Sequence, residues 1–346
     1  MKLDVDRLRR RPPGPRVLMY LDQSTLSDLA LQDSRAQTRE LLLEGVKADK
    51  VICPGSVGHT DETLDARQWE TIQALHEELA MGVAFLDQSQ IEERETWSAV
   101  AAFCGAPPYY SLVDEAFAGD PQTPRDELFP GGMRVAATLG PALFRSGEVA
   151  HEKGKEAGLQ QAYDAARALG RSYQEQADAE YEAMVSWTLG PLVDPDGFAD
   201  RLARKQAEML ASSEWSPGPG TPTSQYLAAA QRGAFAEALA ERYPLMAGRW
   251  REFAVSDELA HMPAIRFPAL FRAAIAVRRG RNADAGDGYD IAHLTRGLSR
   301  CDIVTADRAM TGIARERSLV PSGCALFRTS ETGEFHAAVE AAIAAL

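Results

Sequence analysis

The chain has 346 residues, enough for one large domain or two of ordinary size, and its 45% apolar content suits a sizeable core. No stretch approaches ~20 consecutive apolar residues, which excludes an evident membrane-spanning helix. A net charge of -13 argues against a broad nucleic-acid-coating surface, which must neutralise phosphates, but leaves room for a selective enzyme that meets a phosphate locally through cations held on carboxylates.

In chain order, Met1 to Arg16 is basic, and only the short apolar run Val17 to Leu21 follows it. That run is too short for a secretory h-region, so a cytoplasmic protein is expected. Val17 to Leu21 reads as a strand ending at Asp22. Arg35 to Ala48 is amphipathic and helix-like, and Lys50 to Cys53 is a short strand stopped by Pro54 and Gly55. Asp61 to Ala80 carries Leu64, Trp69, Ile72, Leu75 and Leu79 near a helical period, and Val83 to Leu86 is a further apolar run. The region 105–262 has no clear β-branched runs. Gly158 to Thr188 and Asp196 to Ser212 have helix-forming compositions, and Ser216 to Thr223 (SPGPGTPT) reads as a loop. Alternation then returns. Pro268 to Arg279 looks helical, Arg278 to Gly288 is a polar loop, and Tyr289 to Leu298 is a helix. Asp302 to Thr305 is a strand, Arg308 to Arg317 a helix, Ala325 to Phe327 a strand and Glu334 to Leu346 a closing helix, with Thr329 or Ser330 as its cap.

This pattern predicts an α/β fold, a parallel sheet sandwiched by helices, built from 1–104 and 263–346. The region 105–262 would be a mainly helical insertion, available to cap the site, select substrate, or bind a protein partner or a second copy. Cys53, Cys104, Cys301 and Cys324 form no C-x-x-C pair, so a zinc knuckle is not expected and reduced, mostly buried thiols are.

The acids carry the chemistry. Asp22 follows an apolar strand and so stands at its carboxyl end, the ligand-binding edge of α/β sheets. Glu62 lies in the first turn after the strand at Lys50 to Cys53. Asp290 opens the helix preceding the strand at Asp302 to Thr305, and Asp307 ends that strand. Each alone reads equally as a turn former, cap or first-turn acid. Their joint placement on one edge is what points to function. Ionised carboxylates gathered there repel one another, and hard divalent cations, Mg2+ or Mn2+, relieve that repulsion through oxygen ligands. Such cations serve phosphodiester hydrolysis.

Gly286 to Met310, GDGYDIAHLTRGLSRCDIVTADRAM, resembles the end of a PIN-like nuclease domain (the PilT N-terminal superfamily). Asp290 matches the helix-opening acid, and Thr305 and Asp307 match the Thr/Ser-x-Asp that ends the next strand. VLMYLDQSTLSDLA resembles the family's first strand with its aspartate, at Asp22. CPGSVGHTDET resembles its second acidic segment, with Ser56, His59 and Glu62 in a Ser-x-x-His-x-x-Glu spacing. The resemblance covers about half the chain. It implies helices around a parallel sheet, metal-dependent cleavage, and nucleic acid, most commonly RNA, as substrate. The long helical middle departs from the compact members of the family.

Further candidates surround these acids. Asp287 is one turn before Asp290 and is either an additional metal ligand or a solvated loop residue. Ser24 and Thr305 carry hydroxyls able to hold a ligand carboxylate or to cap. His59 and His293 are placed to assist or to pack. Arg278, Arg279 and Arg281 form a basic turn able to meet phosphates. Asp302 precedes its strand and belongs to the opposite edge. No G-x-x-x-x-G-K-[ST], G-x-G-x-x-G, H-E-x-x-H or G-x-S-x-G motif occurs. Two alternatives stay open. One is an Asp22-based phosphatase, although Ser24 stands where such enzymes carry a second acid. The other is a decayed PIN-like scaffold that binds RNA or protein.

Overall fold

The computed structural model describes residues 4–56, 58, 59, 62, 66, 68–123, 160–212, 221–278, 282 and 286–346. Every residue from Val17 to Tyr20 is apolar and buried, as suits a strand covered on both faces. It forms β1 (Val17–Tyr20), followed by α1 (Gln23–Leu31), α2 (Ala36–Lys47), β2 (Val51–Ile52), α3 (Trp69–Ala80), β3 (Ala84–Phe85), α4 (Gln88–Phe103) and β4 (Phe117–Ala118). Residues 160–168 are helical. Then come α5 (Tyr173–Val193), α6 (Pro195–Ala211), α7 (Pro222–Arg242), the short α8 (Trp250–Ala254) and α9 (Asp257–Ala260), and α10 (Pro263–Ala276). The chain closes with α11 (Asp287–Arg300), β5 (Ile303–Ala306), α12 (Arg308–Glu316), β6 (Ala325–Arg328) and α13 (Thr332–Ala344).

The chain divides into two compact units. The first comprises the described residues of Met1–Glu95, Tyr109–Thr138 and Gly288–Leu346, and the second those of Thr96–Pro108 and Leu139–Asp287. The first unit is α/β. Its four-stranded parallel sheet has the order β2-β1-β5-β6, with Val17 opposite Val51, Met19 opposite Ile303, and Ile303 opposite Ala325. Strands from the two ends of the sequence are therefore neighbours, as the alternation at both ends predicts. β3 and β4 form an antiparallel pair, and Gly55 bridges to Ala84 just beyond β2.

On one face of the sheet, Val17, Met19, Leu21 and Ile303 join Leu26, Leu29, Leu42, Leu75, Phe335 and Val339 in one core. Each such Leu or Phe contributes about 1.5–3 kcal/mol by leaving water. On the other face Tyr20 meets Phe85 edge-on and His293 of α11. Gly297 lets α11 come close, because a Cβ there would stand 3.0 Å from both Val304 methyls and 3.2 Å from the Tyr20 ring. Arg300 at the end of α11 and Glu95 of α4 form a wholly buried ion pair.

The basic N-terminal segment straps the amino edge of the sheet. Arg9 and Arg11 both reach Asp302 Oδ1, at 2.9 and 2.5 Å, while Asp302 Oδ2 accepts the Leu18 N–H at 3.0 Å. Asp302 thus lies at the opposite edge from Asp22, as its position before β5 implies. Arg10 donates twice to buried Glu115, and Arg16 pairs with Asp49.

In the second unit α10 packs along α5, and the Arg266 guanidinium lies 4.5 Å from the Tyr181 ring centre. A capping box of Ser172 and Glu175 starts α5. Among the described residues of the chain, no helix is long and apolar enough to cross a membrane.

Several local expectations need correction. Pro222 and Thr223, read as loop, open α7, with Thr221 as N-cap and Pro at the first turn, where its missing N–H costs nothing. The rest of that segment, 216–220, lies outside the described residues. α10 begins at Pro263, five residues before the expected Pro268, which sits inside the helix. Asp287 and Gly288, read as loop, are helical, so Asp290 is the fourth residue of α11 rather than its opening. Neither Thr329 nor Ser330 caps α13. Its N-cap is Glu331, whose carboxylate instead takes two bonds from Arg315 at 2.7 Å.

Candidate active site

The sheet order creates a crevice. From β1 the chain crosses through α1 and α2 to β2 on one side, and from β5 it crosses through α12 to β6 on the other. Adjacent parallel strands whose connections leave in opposite directions part at their carboxyl ends, where α/β folds bind ligands. Asp22 and Asp307 stand at that point. They lie two and three residues beyond the paired Tyr20 and Val304.

Both acids are helix N-caps with extended backbones. Asp22 Oδ1 accepts the Thr25 N–H at 3.1 Å to start α1, and Asp307 Oδ1 accepts the Met310 N–H at 2.6 Å to start α12. Asp is suited to this place, since its carboxylate satisfies an orphan N–H and meets the positive end of the helix dipole. The structural and functional readings of these acids thus share one geometry.

Asp22 is held further by hydroxyls from two neighbouring elements. Thr305 Oγ1 of β5 accepts the Asp22 N–H and donates to Asp22 Oδ1, both at 2.9 Å. Thr329 Oγ1, just past β6, donates to Asp22 Oδ2 at 3.1 Å. Burial pushes the Asp22 carboxyl above the usual aspartate range, while the bonds from Thr25, Thr305 and Thr329 pull it back. The Thr305 hydroxyl thus holds the Asp22 carboxylate. Ser24 is exposed at the second position of α1, and the neighbouring Thr25 gives its backbone N–H to Asp22 Oδ1. From the sequence Thr329 reads only as a cap for the closing helix, and Thr25 carries no signal of its own. The only signal that Thr329 belongs beside Asp22 is that it follows β6 as Asp307 follows β5.

Asp290 lies on α11 two turns before Gly297, so the two share one helix face about 10 Å apart. Gly297 is level with Tyr20 and Val304, and α11 runs back along β5 from its carboxyl end. Asp290 is thereby carried beyond the same sheet edge. His293, between them on that face, packs against Tyr20 and His59 with ring centres 5.4 and 4.9 Å apart.

Glu62 is helical and follows His59 by three residues. His59 is buried and hydrogen-bonded at both nitrogens, to Ser56 Oγ through Nδ1 at 3.1 Å and to the Leu21 carbonyl through Nε2 at 2.6 Å. Tyr20 O–H donates to Ser56 Oγ at 2.9 Å. Burial holds His59 far below the usual imidazole range, with His76, His293 and Arg296 adding to the effect and the Leu21 carbonyl opposing it. His76 falls to about 4, chiefly by burial, and His293 to about 3, by burial and by Arg296. Burial likewise raises Tyr20 to about 12.

Asp287 is buried at the start of α11 and falls in the second unit. Arg278 is exposed after α10, also in the second unit. Arg279 and Arg281 lie outside the described residues. Cys53 and Cys301 are buried free thiols, and Cys104 and Cys324 are partly buried ones.

The fit to a divalent cation divides into chemistry and arrangement. Four carboxylates offer the hard oxygen donors that Mg2+ and Mn2+ take. Asp22 Oδ2 accepts one hydrogen bond and keeps a further lone pair. Among the described residues, however, no three His, Cys, Asp or Glu side chains are gathered into a group able to hold a metal ion. Asp22 and Asp307 thus share an edge, and the described residues form no ligand cage around them.

No family model, no curated protein and no solved structure matches this chain.

Proposed function

We propose that the chain is a metal-dependent nuclease that hydrolyses phosphodiester bonds, most commonly RNA, at the carboxyl edge of the β1–β5 crevice. The observation that carries the reading is the pair of strand-ending aspartates, Asp22 and Asp307, which follow the neighbouring strands β1 and β5 where the sheet connections part. Asp22, Glu62, Asp290 and Asp307 would hold Mg2+ or Mn2+. A cation there supplies Lewis-acid stabilisation of the phosphodiester and its leaving oxygen. Thr305 and Thr329 orient the Asp22 carboxylate, so that only part of its hydrogen-bonding capacity remains for a ligand. The likeness of GDGYDIAHLTRGLSRCDIVTADRAM and its two companion segments to a PIN-like domain supports the same reading.

One observation favours a second reading. Both aspartates already serve as N-caps, which is what a scaffold retaining its folding acids but not its chemistry would keep. The decisive assay is cleavage of generic RNA, single-stranded DNA and a phosphomonoester with Mn2+ and with a chelator. Mn2+-dependent cleavage of nucleic acid, abolished in both D22N and D307N, is expected. Hydrolysis of the phosphomonoester alone would point to an Asp22 phosphatase. No cleavage together with a melting temperature indifferent to saturating Mn2+ would leave the binding scaffold.

A further inference from the structure

We infer that His59 is a positioning residue that grips the peptide unit between Leu21 and Asp22 and so sets the direction of the Asp22 side chain. Its bearing on cleavage rests on the nuclease reading, but the grip itself does not. The Leu21 carbonyl and the Asp22 N–H belong to the same peptide unit, which is rigid. The carbonyl accepts from His59 Nε2 at 2.6 Å, and the N–H donates to Thr305 Oγ1 at 2.9 Å. Side chains from two distant segments thus hold one peptide at both ends, at the residue where β1 becomes the cap of α1. With that plane fixed, the Asp22 backbone is fixed, and Thr305 returns a second bond to its carboxylate.

The grip requires one tautomer. A carbonyl can only accept, so Nε2 must carry the proton and Nδ1 must accept. The neighbours supply that pattern: Tyr20 O–H donates to Ser56 Oγ, and the Ser56 hydroxyl is free to donate to Nδ1. The ring is enclosed by Tyr20, His76 and His293, with ring centres 4.6–4.9 Å away. Gly58 leaves room for His293, since a Cβ there would come within 2.4 Å of His293 Nε2. A proton added to His59 would enter an enclosure already holding two imidazoles and bordered by Arg296, so the neutral state persists. The same His59 precedes Glu62 by three residues in the chain. It therefore ties the segment bearing one candidate ligand to the peptide that orients another.

The test uses the full chain without metal or nucleic acid. Long-range 1H–15N spectra of histidine-labelled protein at neutral pH should show His59 as the neutral Nε2–H tautomer. An Nδ1–H tautomer or a charged ring overturns the inference. Amide exchange of Asp22 is then compared in wild type, H59F and H59Q. Phe keeps the ring and removes both bonds, whereas the Gln amide can still donate toward the Leu21 carbonyl. Asp22 should exchange more than about tenfold faster in H59F, with Val304 of β5 unchanged, and within about threefold of wild type in H59Q. Unchanged Asp22 protection in H59F would mean that the ring merely packs, and overturns the inference. Should H59F fail to fold, S56A takes its place. A mixed tautomer with faster Asp22 exchange is expected there, and loss of the Nε2–H tautomer with wild-type Asp22 exchange overturns the grip. Cleavage by the same chains should fall in kcat, not KM, in H59F and recover in H59Q. Absence of cleavage in wild type would sink the nuclease reading and leave the grip to be decided by tautomer and exchange.

Discussion

Thr329→Val isolates the hydroxyl that reaches Asp22 from β6 while keeping side-chain volume and the backbone bonds of Thr329, which accepts from Arg35 at 2.6 Å and donates to the Ala306 carbonyl at 3.2 Å. What is lost is the 3.1 Å bond to Asp22 Oδ2 and a longer 3.5 Å contact with Thr25 Oγ1. A hydrogen bond to an ionised acceptor contributes about 1.5–3 kcal/mol, and one between neutral groups about 1 kcal/mol. At pH 7 the substitution should therefore cost about 1.5–3 kcal/mol. In a D22N background, where the acceptor carries no charge, it should cost about 1 kcal/mol or less. The double-mutant cycle, read by urea denaturation, should give a coupling of about 1–2 kcal/mol. The sign in pH follows from linkage. Removing a donor that favours the ionised carboxyl raises the folded pKa of Asp22 and leaves the unfolded one alone. The penalty is then full above the folded pKa and shrinks as acid protonates Asp22. A coupling below about 0.5 kcal/mol, or a penalty independent of pH, would refute the claim that Thr329 holds the Asp22 carboxylate.

The strands and the acids that end them are encoded locally. Val17 to Leu21 is a short apolar run ending at Asp22, and Ile303 to Ala306, apolar but for Thr305, lies between Asp302 and Asp307; a strand buried on both faces needs such a composition wherever it sits. Asp22 and Asp307 could therefore be assigned to one sheet edge from order alone, and Asp302 to the other. What escaped depends on pairings between distant residues. Thr329 reaches Asp22 only because β6 lies beside β5 and β5 beside β1, and no local pattern states that order. His59 could be suspected from its spacing to Glu62, but its bond to the Leu21 carbonyl joins two segments through a backbone atom, which leaves no mark in side-chain identity. The Arg9 and Arg11 bonds to Asp302 were hidden similarly, since a basic N-terminus reads as solvated until a buried edge is found beneath it. Helix starts failed for a different reason. Proline marks a first turn by its fixed φ, yet two candidate prolines, Pro263 and Pro268, stood within one helix, and periodicity cannot choose between them.

Glu95→Gln should destabilise the protein by about 3–5 kcal/mol in urea denaturation, because it leaves the wholly buried Arg300 without its charge partner. An E95L/R300M double variant should recover most of that loss, and failure to do so would show that packing rather than charge dominates there. Gly297→Ala should cost about 1–3 kcal/mol despite alanine's better helix propensity, since the new methyl meets Val304 and Tyr20 at 3.0 and 3.2 Å; a neutral or stabilising result would show that α11 can retreat from the sheet. The imidazole cluster predicts the acid limb of stability. His76 titrates near 6.5 when unfolded and near 4 in the fold, so the unfolded chain binds protons first as pH falls. Stability contributed by the neutral buried ring is present above about pH 6.5 and is lost progressively down to about pH 4. At about 1.4 kcal/mol per pKa unit, the loss from His76 alone is about 3 kcal/mol. H76Q keeps a donor for the Pro54 carbonyl and removes the titration, so its urea midpoint should fall less steeply than wild type between pH 6.5 and 4. Parallel curves for the two chains would mean that His76 is not held neutral by burial.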